Sequence, residues 1–447
     1  MLRAIAGLLV LGIAAGQTAR LKIEVGPNVR VSDPGASHVE PSIAAHPDDG
    51  RNLIITVSHI SGEQEGVVET FVSRDGGRAW VDSQLPQLRE TAARREAVAP
   101  MVDSWVTFAA DGTAYCSLVA PMQPGHAWGR LPLLAYRSRD RGARWEGPVV
   151  EGPFFDRPAM TTHGTGAEKR LYVSAMGMTA PSGPGVASSV AVLSSADDGL
   201  SFQRTFVTPD NLGHNALRPV VARDGTLIVP YVDFPATGRV EFERRRPLMR
   251  TSRMYLLLSN DQGRTFGTPR FVADIPRVAA GFPELAADLS AGRFGGRLYM
   301  AWNGENGERQ NVMVARSEDQ GETWVAVPLR DAEAGPAYLA TIAVSKEGMV
   351  GAAWLQHEKE ESRKRCWRVY FAASADGGES FSAPRVVSDV VSCPDAGSNK
   401  YAFPRFERGG DYMGLAAGAD GRFHLVWPDC RDGAFQVYSA GLRVGGG

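Results

Sequence analysis

Short apolar runs alternate with polar turns along nearly the whole chain, and the runs are rich in β-branched and aromatic residues and too short for helices. A strand, a polar turn often holding Asp-Gly or Glu-Gly, and a second strand recur seven times, at residues 40–59, 104–119, 157–176, 218–233, 283–303, 338–356 and 412–429. In the first six units a third strand follows, for example residues 253–258 and 311–315, and leads into a fixed phrase, Ser-x-Asp-x-Gly-x-x-aromatic. The copies run Ser73 to Trp80, Ser138 to Trp145, Ser195 to Phe202, Ser259 to Phe266, Ser317 to Trp324 and Ser374 to Phe381. The phrase reads as a turn: Ser and Asp bond the turn backbone, Gly takes a positive φ, and the ring packs beneath a neighbouring strand. Each unit is then a four-stranded antiparallel meander of about sixty residues, the size of a propeller blade with long loops.

The pattern predicts an all-β chain forming a single β-propeller of seven four-stranded blades, with six as the alternative if one unit is an insertion. The seventh unit ends without its turn phrase or fourth strand. Residues 21–31 are expected to supply that strand and close the ring, leaving no open edge.

Composition adds limits. Lys and Arg number 48 against 50 Asp and Glu, so no basic field recruits nucleic acid or an anionic membrane. Residues 1–16, with Arg3 before an apolar run and Gly16 at a small-residue end, read as a secretory signal peptide; an N-terminal strand or uncleaved anchor is the competing reading. Residues 17–447 are then one domain, secreted or periplasmic, with no membrane attachment in the mature form, and a monomer is expected. Of four cysteines, Cys116 reads as a buried apolar residue, and export permits one pair among Cys366, Cys393 and Cys430, with Cys393–Cys430 preferred. The histidines show no metal-ligand spacing, and neither a phosphate-cradling loop nor a nucleophile elbow is present, so no cofactor and no metal are expected.

Meander topology sorts the candidate chemistry. The turn phrases join third to fourth strands and share a face with the first-to-second turns, so their acids are structural. The opposite face collects first-strand starts, which line the channel, and second-strand ends. The former are Glu40, Asp103, Asp156, Arg157, Arg218, Glu284, Asp411 and Tyr412, with His214 and Arg405 upstream; the latter are His59, Asp233, Asn303, Glu305, His357, Asp429 and Arg431. Carboxylates, guanidinium groups and a phenol could converge there on one ligand.

The six turn phrases resemble the Asp-boxes, or bacterial neuraminidase repeats, of the sialidase superfamily. The C-terminal stretches 410–415 and 427–433 are similar to those of sialidase-like bacterial proteins. The resemblance implies an exported glycoside hydrolase acting on a glycan in the axial depression, or, as the alternative, a non-catalytic propeller binding glycan or protein there. It also implies an arginine clamp for a sugar carboxylate from Arg157, Arg218 and Arg405 or Arg431, a nucleophilic Tyr412 activated by Glu284, and Asp103 or Asp156 as acid/base. The signature first-blade arginine of that superfamily is absent, since blade 1 reads Val39-Glu40-Pro41; the nearest Arg-Pro pairs are Arg157-Pro158 and Arg218-Pro219.

Overall fold

The computed structural model describes residues 21–62, 65–92, 95–98, 101–121, 131–152, 154–178, 188–208, 214–233, 251–276, 281–306, 309–329, 335–358, 366–395, 398 and 408–446. Two N-terminal strands, β1 (Leu21–Val25) and β2 (Val29–Arg30), precede blade 1, which holds β3 (Ser37–Ala45), β4 (Leu53–Gly62), β5 (Glu65–Ser73) and β6 (Val81–Asp82). A hairpin that the sequence pattern did not suggest, β7 (Arg89–Ala92) with β8 (Arg95–Val98), separates it from blade 2: β9 (Val102–Phe108), β10 (Ala114–Val119), β11 (Leu133–Ser138) and β12 (Glu146–Glu151). Blade 3 is β13 (Phe155–His163), β14 (Arg170–Met178), β15 (Ser188–Ser195) and β16 (Gln203–Phe206). In blade 4 the inner strand is split into β17 (His214–Ala216) and β18 (Val220–Val221), followed by β19 (Leu227–Asp233), β20 (Thr251–Ser259) and β21 (Arg270–Pro276). Blade 5 is β22 (Glu284–Ala287), β23 (Leu298–Asn306), β24 (Arg309–Ser317) and β25 (Val325–Pro328), and blade 6 is β26 (Ala337–Val344), β27 (Val350–His357), β28 (Trp367–Ser374) and β29 (Arg385–Val386). Blade 7 comprises β30 (Gly414–Ala417), β31 (Arg422–Asp429) and β32 (Gln436–Gly446).

The chain is therefore an all-β, seven-bladed propeller. Its ring closes as expected: β1 runs antiparallel to β32 from Leu21↔Gly446 to Val25↔Leu442, and β2 continues at Val29↔Ser439. Among the described residues no helix is long and apolar enough to cross a membrane.

The core lies between blades. Buried apolar side chains form seven clusters, each built chiefly from two neighbouring blades, such as Ile54, Cys116 and Trp145 between blades 1 and 2, or Leu256, Met300 and Trp324 between blades 4 and 5. That geometry explains why β10 is buried at every position although its side chains alternate: both its faces meet other blades. Cys116 is completely buried there, and burial pushes its thiol well up.

All six turn phrases adopt one hydrogen-bond pattern. In the fifth, Ser317 Oγ donates to Asp319 Oδ1 at 2.8 Å, the Gly321 amide donates to Ser317 Oγ at 2.7 Å, and the Thr323 amide donates to Asp319 Oδ1 at 2.9 Å. Gly321 sits at φ +88°, and a Cβ there would lie 2.5 Å from Leu256 Cδ1 of the preceding blade. The ring that ends each phrase, Trp324 here, packs into that same interface between blades. The phrase thus fixes both a turn and the seam behind it.

The preferred Cys393–Cys430 pair is corrected. Cys366 is bonded to Cys393, while Cys430 is free and buried. The adjoining residues Trp367 and Ser392 exchange backbone hydrogen bonds of 2.9 and 3.0 Å, which sets Cys366 and Cys393 side by side, and Cys430 stops at Ser392, its Sγ 3.1 Å from the hydroxyl.

Candidate functional site

Inner strands converge on the axis, and their register decides which side chains meet there. Each first hairpin turn is closed at an equivalent residue: His46, Ala109, His163, Ala222, Asp288, Ser345 and Gly418. Six residues before these stand Glu40, Asp103, Arg157, Ala216, Phe282, Leu339 and Tyr412; four residues before them stand Ser42, Trp105, Ala159, Arg218, Glu284, Thr341 and Gly414. The first set carries an unusual backbone, with φ of 58° at Glu40, 55° at Asp103, 54° at Arg157 and 52° at Leu339. The pairing register of their strands shifts at these points, so each residue is the extra one of a bulge. Left-handed backbone is unfavourable for non-glycine residues, and here it re-aims the side chain out of the sheet. In blade 4 the break at Leu217-Arg218-Pro219, where proline lacks an N–H for the ladder, does the same for Arg218.

A cavity of about 40 Å3 remains between these groups, lined by Asp103, Trp105, Arg157, Arg218, Phe282, Glu284 and Tyr412, among others, from blades 2, 3, 4, 5 and 7. Contacts between blades that are not neighbours place it on the axis. Arg157 of blade 3 stacks 3.3 Å over the Phe282 ring of blade 5 and donates from Nη1 to Asp411 Oδ2 of blade 7 at 3.0 Å. Tyr412 of blade 7 donates its hydroxyl to the Ser104 carbonyl of blade 2 at 3.3 Å, and Arg218 of blade 4 lies 5.4 Å from the Trp105 ring of blade 2. A roomier cleft of about 730 Å3 lies between the turn phrases of blades 4 and 5; none of the axial residues lines it, and its Asp261 carboxylate accepts hydrogen bonds within its own turn.

The cavity has an acidic and a basic side. Around Arg157 stand Asp411, Glu40, Asp103 and Asp156; burial works to lower its pKa, but these carboxylates outweigh it. Asp103 makes side-chain hydrogen bonds with Glu40 and Asp156 and is pushed up to about 7, first by burial and then by the charge of Glu40. Glu40 is raised for the same reasons, burial and then Asp411, and accepts the Asp411 amide at 3.1 Å. Gly410 allows this close approach, because a Cβ at its φ of +113° would fall 2.2 Å from Glu40 Cγ. On the other side Glu284 accepts a hydrogen bond of 2.7 Å from Thr341 Oγ1 and is raised to about 7 by burial, opposed by Arg218. Burial lowers Arg218, and its Nε meets no hydrogen-bond partner among the described residues. The Tyr412 phenol is pushed far up by burial and then by Glu40 and Asp103. It remains a neutral donor.

Of the residues singled out from sequence, Asp103, Arg157, Arg218, Glu284 and Tyr412 line one cavity, and Asp156 joins it through Asp103. Tyr412 has Glu40 and Asp103 as its charged neighbours, rather than Glu284. Arg405 lies outside the described residues. Arg431 is placed elsewhere: it bonds Asp389 at 2.5 Å and Asp429 at 2.8 Å and covers Tyr438 at 4.1 Å, tying blade 7 to the end of blade 6. Two second-strand ends are likewise held by neighbours: Asp233 lies 3.6 Å from His214 within blade 4, and Arg408 Nε, ahead of blade 7, donates to His357 Nε2 of blade 6 at 3.2 Å. Trp105 and Phe282 were not singled out for chemistry; counting back from the residue that closes each first hairpin turn places both on the axis.

No protein-family model matches the chain. No curated protein matches it either. Among solved structures, a protein of unknown function from Dyadobacter fermentans is similar at 12% identity and a TM-score of 0.47, covering 95% of this chain and 99% of that one. A mutant of NanB sialidase from Streptococcus pneumoniae is similar at 9% identity and a TM-score of 0.47, covering 95% and 98%. A GH93 alpha-L-arabinofuranosidase of Fusarium graminearum, in complex with arabinobiose, is similar at 14% identity and a TM-score of 0.46, covering 81% and 98%. At such values no residue role passes from those proteins to this chain.

Proposed function

We propose that this propeller cleaves a glycosidic bond at its axial cavity, with Asp103 as general acid and Glu284 as the second carboxyl group. The observation that carries this reading is that two buried acids able to hold protons near neutral pH face the same cavity as the Arg218 Nε–H, which has no hydrogen-bond partner among the described residues. Glycoside hydrolysis needs the two carboxyl groups in opposite states: Asp103, protonated, gives its proton to the leaving oxygen, and Glu284, ionised with the help of the Arg218 charge, takes a proton from the attacking water or attacks the anomeric carbon itself. Arg218 anchors a hydroxyl or carboxylate of the sugar. Arg157, held by Asp411 and Phe282, balances the acidic cluster, and Tyr412 acts as a neutral hydrogen-bond donor. Trp105 and Phe282 offer apolar faces to a sugar ring. Residues 1–16 act as the export signal, consistent with a Cys366–Cys393 disulfide, which forms in oxidising compartments.

The test is release of reducing sugar or aryl aglycone from a panel of aryl glycosides and polysaccharides, sialosides included. Asp103→Asn and Glu284→Gln should each lower turnover about 10²- to 10⁴-fold without loss of fold. Full activity in either variant overturns the assignment. The small cavity, with room for about one or two water molecules, favours a second reading, a propeller that binds glycan end-on without cleaving it. Saturable binding with no sugar released from any substrate would establish that reading instead.

A further inference from the structure

Blade 1 carries a second cluster of chemistry outside the axial cavity. His38 on β3 and His59 on β4 are direct register partners, and Glu69 on β5 lies opposite Val57, two residues from His59 and on the same sheet face. The side chains meet: His38 Nε2 is 3.0 Å from Glu69 Oε2, His59 Nδ1 is 2.5 Å from Glu69 Oε1, and the imidazole rings are 4.8 Å apart. One ligand-capable atom from each residue lies within 4.8 Å of the other two. His38 is 2% exposed, and its Nδ1 has no hydrogen-bond partner among the described residues. Two imidazole nitrogens, His38 Nε2 and His59 Nδ1, thus converge on the two oxygens of one carboxylate, and the three side chains come from three adjacent strands of one blade.

We propose that His38, His59 and Glu69 form a binding site for a divalent transition-metal ion, with Zn2+ as the ion whose chemistry fits. Zinc takes imidazole nitrogen and carboxylate oxygen at about 2.0–2.2 Å, so ligand atoms around a tetrahedral ion stand roughly 3.4 Å apart. The observed separations bracket that spacing, and a small rotation of Glu69 makes room. Two imidazoles among three ligands disfavour calcium and magnesium, which take oxygen. The His59 and Glu69 side chains are 26% and 28% exposed, so the solvent side supplies the fourth position. His38 stands two residues before Glu40, so the ion would clamp three strands of blade 1 beside the strand start that enters the axial cluster.

The test uses tag-free full-length protein, stripped with EDTA and titrated separately with Zn2+ and Co2+. Bound metal is counted by mass spectrometry after gel filtration, and the Co2+ adduct is read by its visible absorption. One equivalent of zinc per chain is expected, with a raised melting temperature, because an ion that binds only the folded state stabilises it. His59→Ala and Glu69→Gln should each weaken uptake by at least about tenfold, and His163→Ala, at an exposed site in blade 3, should not. Wild-type protein that retains no zinc overturns the proposal, as does uptake that survives both substitutions. Should His59→Ala fail to fold, Glu69→Gln, which keeps the shape of the side chain, carries the comparison with its circular dichroism as the check on folding.

Discussion

Asp103 and Glu284 are buried acids, and burial decides their behaviour before any neighbour does. Both are raised to about 7, whereas an unfolded chain releases these protons near pH 4. Between about pH 4 and 7 the folded protein therefore holds more protons than the unfolded one, so stability falls as pH rises through that window. The acids of the turn phrases are shifted the other way, downward, so their contribution is already present across that window, is lost only as pH falls below it, and does not mask the drop. We predict that the melting temperature drops from pH 5 to pH 8, and that the Asp103→Asn, Glu284→Gln double variant flattens the drop, with a residual slope from Glu40. Parallel curves for the two proteins would refute the assignment of raised values. If the chain turns over a glycoside, the rate should fall on both sides of about pH 7, above it as Asp103 loses its proton and below it as Glu284 gains one.

At the scale of elements, the turn phrase separates two effects. Asp319 is an exposed acceptor whose loss removes a few local hydrogen bonds, so Asp319→Ala should cost about 1 kcal/mol. Gly321→Ala forces a side chain into left-handed backbone and into Leu256 of the preceding blade, and should cost about 2–4 kcal/mol. Denaturant titration of the two variants measures both, and an equal loss would show that the seam between blades does not depend on the glycine. Neither change should alter ligand binding, since the turns and the axial cavity share no lining residue.

At the scale of the molecule, stability is shared among seven seams and depends on closing the ring. Removing residues 1–30 deletes β1 and β2 and uncovers the edge of β32 along Tyr438–Gly446. An unpaired edge of that length templates association. The truncated protein should therefore melt lower and elute as aggregates in size-exclusion chromatography; a stable monomer would show that the ring holds without its closing strand.

The blade count, the turns and the closing strand were legible in the sequence because they rest on short-range regularities: strand period, a turn phrase repeated with fixed spacing, and one strand left without a partner. Which face gathers the candidate residues followed from the same topology. Tertiary structure alone decided which candidates meet. Arg157 and Arg431 look alike on paper, each beside an aspartate near a strand end, yet a bulge with φ of 54° turns Arg157 onto the axis, and Arg431 is spent on Asp389 and Asp429. The Cys366–Cys393 bond and the meeting of His38, His59 and Glu69 were likewise invisible, since each depends on cross-strand register and not on a spacing along the chain. Local propensity writes the strands and turns; the register between them, set only when seven blades pack around one axis, chooses the chemistry.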